Sequence, residues 1–241
     1  MNKNAAPLPD ASAALPYPLP VKAVMIDLDG TLLDTAPDLA SAANMMLREL
    51  NRTELPLETI RSYIGKGIEK MVKRSLTGNL DGEPDAALLA EAMPVYERHY
   101  ASMLCVDTRP YAGVIEGLDA LRGKGLRLAC VTNKAEAFTL PLLRAAGLLD
   151  YFDLVLSGDS LPKKKPHPMP LLHACERFGI AAQEMLLIGD SLNDAQAARA
   201  AGCHVFVVPY GYNEGRDVRE LDCDAIVSSL EDAAKLIRKS S

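Results

Sequence analysis

The chain has 241 residues, 49% of them apolar, and a formal net charge of −6. That is enough hydrophobic mass for one large domain, or for a core carrying a smaller second unit. The negative balance argues against nucleic acid or an anionic membrane as main partner, and no apolar run is long enough to cross a bilayer.

Residues 1–20 hold five prolines and many alanines. They lack the basic-then-apolar layout of a signal peptide, and the composition predicts a disordered or extended tail. The apolar run Ala23–Ile26 follows and reads as a buried parallel strand. It ends in Asp27, Leu28 and Asp29, and Gly30 and Thr31 then turn the chain. Two acids at i and i+2 can face one ligand while Leu28 points away. In an open α/β sheet the carboxyl end of a strand is where ligands bind.

Residues 35–107 hold helical patterns at 35–50, 56–63, 67–77 and 84–103 and no convincing strand. Pro37 suits a first turn, and Leu39, Ala42, Ala43, Met46, Leu47 and Leu50 repeat at helical spacing. The Gly65-Lys66-Gly67 loop joins two of these helices. Strands and helices alternate from Arg109 onward. A helix at 113–123 leads to a strand at 126–131 that ends in Thr132, Asn133 and Lys134. A helix at 135–146, a strand at 152–157 and the loop Pro162–Pro168 come next. After a helix at 169–178, a strand at 185–188 runs into Gly189-Asp190-Ser191-Leu192-Asn193-Asp194. A helix at 194–201, strands at 205–208 and 225–227 and a helix at 230–238 complete the chain. This alternation predicts a doubly wound parallel sheet of Rossmann-like type, with residues 21–34 and 108–241 as the α/β core and 35–107 as a helical insert. The five cysteines have no close-pair spacing and are odd in number. They read as reduced, mostly buried thiols of a cytoplasmic protein, monomer or homodimer.

In a parallel sheet the strand ends share one edge, so Asp27 and Asp29, Thr132 and Asn133, Lys165, and Asp190 and Asp194 converge. Alone, Thr132 is an ordinary strand-end residue, Lys163–Lys165 a solvated basic loop, and Asp190-Ser191 a helix cap. Together, in this order, they match what phosphoryl transfer requires: positioning and charge stabilisation around three equatorial oxygens. One carboxylate can attack phosphorus, and another can exchange a proton with the leaving oxygen and with water. Thr132 and the Asn133 backbone can hold phosphoryl oxygens, and Lys165 can neutralise them. Asp190, with Asp27 and the Asp29 carbonyl, can complete a magnesium site that Asp194 helps to orient.

These residues resemble the haloacid dehalogenase superfamily, whose motifs are Asp-x-Asp-x-Thr, a strand-end Thr or Ser, a lone Lys, and Gly-Asp-Ser-x-Asn-Asp. The resemblance covers residues 21–208. It implies Asp27 as nucleophile, Asp29 as general acid/base, and Thr132 and Lys165 as phosphate binders. It also implies Mg2+ held by Asp27, Asp29 and Asp190, and a helical cap over the site. Lys165 is chosen among three lysines because it precedes Pro166. Tyr63-Ile-Gly-Lys-Gly67, Arg109-Pro-Tyr-Ala-Gly113 and Val131-Thr-Asn-Lys134 add a likeness to the bacterial phosphoglycolate phosphatase branch, which implies 2-phosphoglycolate as the small phosphorylated substrate. Lys66 is then a candidate for the substrate carboxylate, although its loop can equally well serve only to join two helices. Asp29 disfavours a dehalogenase, whose halide leaving group needs no proton. A phosphonatase, another phosphomonoesterase or a phosphosugar mutase stays open. A receiver-type phospho-acceptor module, the non-enzyme alternative, has strand-end acids but is about half this length and lacks the insert.

Overall fold

The computed structural model describes residues 17–240. Its centre is β2 (Ala23–Ile26), all four residues of which are buried. On one side β2 pairs with β5 (Arg127–Val131), which pairs with β6 (Leu154–Leu156). On the other side come β7 (Met185–Gly189), β8 (His204–Val207) and β9 (Ala225–Ile226). The order is therefore β6-β5-β2-β7-β8-β9, every pairing is parallel, and the chain reverses its direction of travel at β2. A crevice opens at such a reversal, beyond the carboxyl ends of the strands.

Both faces of the sheet are covered, so its strands read as unbroken apolar runs, yet the period of two persists underneath. Val24 and Ile26 enter one core with Leu128 and Leu186, against α5 (Val114–Gly123), α6 (Glu136–Ala145) and α9 (Leu230–Lys235). Ala23 and Met25 enter the other with Ala129 and Leu187, against α7 (Met169–Phe178) and α8 (Leu192–Ala201).

The helical insertion leaves and rejoins through a short antiparallel pair, β3 (Leu33–Asp34) and β4 (Arg109–Pro110). It comprises α1 (Ala36–Glu49), α2 (Leu57–Arg61), α3 (Ile68–Thr77) and α4 (Ala86–Met103). These helices share a core of their own in which Ala42, Ala43, Met46, Tyr96 and Tyr100 are buried. At its root the buried Asp38 carboxylate accepts hydrogen bonds from the Asp107 and Thr108 backbone N–H groups, at 2.8 and 3.0 Å, and from the Thr108 hydroxyl at 2.7 Å. The first turn of α1 is thereby tied to the returning chain.

Two expectations are corrected at the ends of the chain. Residues 1–16 of the expected tail lie outside the described residues, but Leu19–Val21 forms β1. It pairs in parallel with β10 (Ile237–Lys239), where a helix through residue 238 was expected. Pro20 was read as a sign of disorder, but a two-stranded pair consists of edges, where proline is tolerated. Leu230, Ala233, Ala234 and Ile237 keep helical spacing, so periodicity alone could not reveal that the helix stops at Lys235. Helix α8 also starts two residues earlier than expected, at Leu192.

Candidate active site

The register sets Ile26 level with Cys130 and Ile188, so Asp27, Thr132 and Asp190 emerge together at one edge. The turn after β2 is drawn onto Asp190. Gly30 sits at φ +89°, and a Cβ there would collide with the Asp190 carboxylate. The Thr31 hydroxyl donates to Asp190 Oδ1 at 2.9 Å, and the Tyr212 backbone N–H donates to Oδ2 at 2.5 Å.

Lys165 reaches in from its loop and is 3% exposed. Its ammonium lies 2.8 Å from Asp27 Oδ1 and donates to Asp194 Oδ1 at 2.7 Å and to the Val131 carbonyl at 2.7 Å. Asp194 is fixed in turn because its Oδ2 accepts from the Ser191 backbone N–H and hydroxyl, capping α8. Burial opposes the Lys165 charge, but Asp194 and Asp27 hold its pKa above the usual lysine value. Burial pushes the Asp27 carboxyl up to about 7, with Lys165 pulling down and Asp194 adding to the rise. Burial, then Asp194 and Asp27, raise Asp190 well above an ordinary carboxylate.

Carboxylate oxygens of Asp27, Asp190 and Asp194 all lie within 4.8 Å of one another. Asp29 stands apart. Its Oδ1 accepts from the Thr35 hydroxyl at 2.8 Å, and both its oxygens meet Lys134 Nζ, at 3.0 and 3.1 Å. Four carboxylates thus face two ammonium groups, so full ionisation would leave two negative charges in a buried setting. Asp27 Oδ1, though close to Lys165, is without an aligned hydrogen-bond partner. A hard divalent cation, which favours oxygen donors, fits both the donor set and the charge deficit.

Thr132 and Asn133 are buried at the same edge. The Thr132 hydroxyl accepts from the Lys134 backbone N–H at 3.2 Å. Asn133 does more than offer its backbone: its Nδ2 donates to the carbonyls of Gly65 at 3.0 Å and Lys165 at 2.9 Å, pinning the insertion to the core. Lys66 is not brought to Asp27. Its ammonium pairs with Glu214 at 2.8 Å, and Glu214 also binds Arg74. Only its neighbours Gly65 and Gly67 line the space above Asp27 and Asp29. That space is a cavity of about 30 Å3, with Thr132, Asn133 and Lys134 beside the acids and Leu39, Ile64, Ile68 and Met71 of the insertion opposite. Lys134 and Tyr212 were not singled out from the sequence. Lys134 follows the strand-end Thr-Asn pair directly, and that adjacency was the available signal.

Residues 24–208 match the family model described as haloacid dehalogenase-like hydrolase. The chain belongs to the haloacid dehalogenase-like hydrolases. The matched span includes the whole insertion and every acid of the cluster. A phosphoglycolate phosphatase of Nitrosospira multiformis is 80% identical to this hydrolase over 93% of its chain and 99% of the relative. One from Thiobacillus denitrificans is 62% identical over the same shares. Among solved structures, one from Haemophilus somnus, described as a predicted phosphoglycolate phosphatase, superposes with a TM-score of 0.83 at 33% identity. It covers 89% of this chain and 97% of its own. The α/β fold with a parallel sheet between helical layers is shared with these hydrolases.

Proposed function

We propose that this hydrolase cleaves 2-phosphoglycolate to glycolate and phosphate through an aspartyl-phosphate on Asp27, with Mg2+ as cofactor. The observation that carries the reading is the placement of Asp27 and Asp29 on one small cavity, the first beside the buried Lys165 ammonium and the second held by Lys134 and the Thr35 hydroxyl. The substrate is drawn from the relatives, which bear that activity in their names at up to 80% identity. Asp27 attacks phosphorus, the ester P–O bond breaks, and Asp29 delivers a proton to the departing glycolate oxygen. Asp29 then takes a proton from water, the water oxygen attacks phosphorus, and the Asp27 carboxylate is regained. Thr132 and the Asn133 backbone N–H orient phosphoryl oxygens, and Lys165 offsets their charge so that one anion can approach another. Asp27, Asp190 and the Asp29 backbone carbonyl would hold Mg2+, with Asp194 at the margin. The ion supplies Lewis-acid charge stabilisation at the phosphoryl group. The five unpaired cysteines fit a reducing, cytoplasmic setting.

The test is a kinetic comparison, with magnesium, of 2-phosphoglycolate against β-glucose 1-phosphate, phosphonoacetaldehyde and pyrophosphate. The expected result is the highest kcat/KM on 2-phosphoglycolate. A competitor ahead by tenfold or more overturns the substrate assignment. Activity that survives excess chelator overturns the metal.

A further inference from the structure

We propose that Lys134 is the residue that receives the carboxylate of the substrate. The inference rests on the reading of the site as a phosphatase for a small acidic ester. A single methylene separates the ester oxygen of 2-phosphoglycolate from its carboxyl carbon. With phosphorus held at Asp27, the carboxylate must lie close beside it, among the residues that line this cavity. The lining there is unwelcoming to an anion: Asp27 and Asp29 are themselves negative, and Ile64, Ile68 and Met71 are apolar. A carboxylate buried without a partner in such a place is strongly disfavoured. Among the cavity-lining residues, Lys134 is the one cation. Lys165, next door, has its ammonium against Asp27, Asp194 and a backbone carbonyl, and its charge serves the phosphoryl group. Lys66, the cation the sequence offered for this task, is held by Glu214.

Lys134 is built into place. Its carbonyl accepts from the Gly158 N–H at 2.7 Å and from the Thr139 hydroxyl at 3.1 Å. Its side chain is 2% exposed, and its ammonium lies 4.9 Å from the centre of the Tyr100 ring on α4. An ammonium has three donor hydrogens. The contacts to Asp29 leave capacity for a second carboxylate, and the Tyr100 ring steadies the cation from the side of the insertion. The acid of the substrate thus docks beside the acid that handles its leaving oxygen.

The test compares kcat/KM on 2-phosphoglycolate with that on 2-hydroxyethyl phosphate, in which a neutral hydroxymethyl group replaces the carboxylate. Wild type should prefer the acid by about 10- to 100-fold, the range of one charge-assisted hydrogen-bonded contact. In Lys134→Met that ratio should fall at least tenfold, and Lys134→Arg should keep most of it. Thermal melting checks that each variant folds, and Lys134→Gln replaces the Met variant if that one does not. A role confined to steadying Asp29 lowers both esters alike and leaves the ratio unmoved, which overturns the proposal. Absence of any preference in wild type overturns the substrate reading itself. A wild-type preference that persists in the variants overturns only the assignment to Lys134.

Discussion

Without a metal, Asp27 sits in the folded protein with its carboxyl near 7, against 3.8 as the ordinary value. Between those limits the native state keeps a proton that the unfolded chain has lost. The contribution of Asp27 to stability is therefore greatest below about pH 4, falls as pH rises through about 7, and is flat beyond. At about 1.4 kcal/mol per unit, the cost above pH 7 is of the order of a few kcal/mol. Asp27→Asn in chelator should then melt above wild type at pH 8 and level with it at pH 4, while Mg2+ should raise the wild type at pH 8. Equal melting at both pH values would contradict the buried-charge account. The same variant should lose more than about a thousandfold in turnover, since an amide is a poor nucleophile. The meeting of Asp27, Thr132, Lys165 and Asp190 at one edge was legible in the sequence, because parallel strands bring their carboxyl ends together whatever their spacing. The ties between side chains were not legible. Tyr212 acts on Asp190 through a backbone N–H, which every residue but proline carries. Lys66 is captured by Glu214, which lies far along the chain.

Helices and strands were legible wherever apolar runs and caps agreed, as at α7, which spans Met169–Phe178 and stops at the left-handed Gly179. The reading failed at β1 and β10, where short strands carry too few residues for a period to declare itself. Leu19 and Ile237 are nonetheless fully buried. Leu19→Ala and Ile237→Ala should each cost about 2–5 kcal/mol in urea unfolding, as cavity-forming core substitutions do. Less than about 0.5 kcal/mol would mean the pair is ornamental. Asp38 makes a matching prediction at the root of the insertion. Asp38→Ala strands the Asp107 and Thr108 N–H groups and should cost about 2–4 kcal/mol. Rescue by Asp38→Asn should be partial, since the amide presents one oxygen acceptor where the carboxylate presents two.

The cavity over Asp27, about 30 Å3 open to the centres of water-sized spheres, where one water needs about 10–15 Å3, has room for a water or two. Admitting a phosphate ester therefore requires the insertion to lift from the core. Along the seam between them runs a groove of about 890 Å3 that includes Lys66, Lys70, Lys163, Lys164 and His167. It is a basic approach on a chain of net charge −6. Lys163→Glu should lower kcat/KM for an anionic ester several-fold at low salt, with the deficit shrinking as ionic strength rises. A deficit independent of salt would point to a direct contact instead. Outside the six-stranded sheet, the pairing of β1 with β10 sets an order of events during synthesis. Strand β2 can meet β5 once the chain is made to Val131, and β7 once it reaches Gly189. Strand β1, made before any of them, has to wait for β10, the last of the described strands to be made. Until then both its edges stay open to foreign strands. A chain that ends before Ile237 lacks that partner altogether.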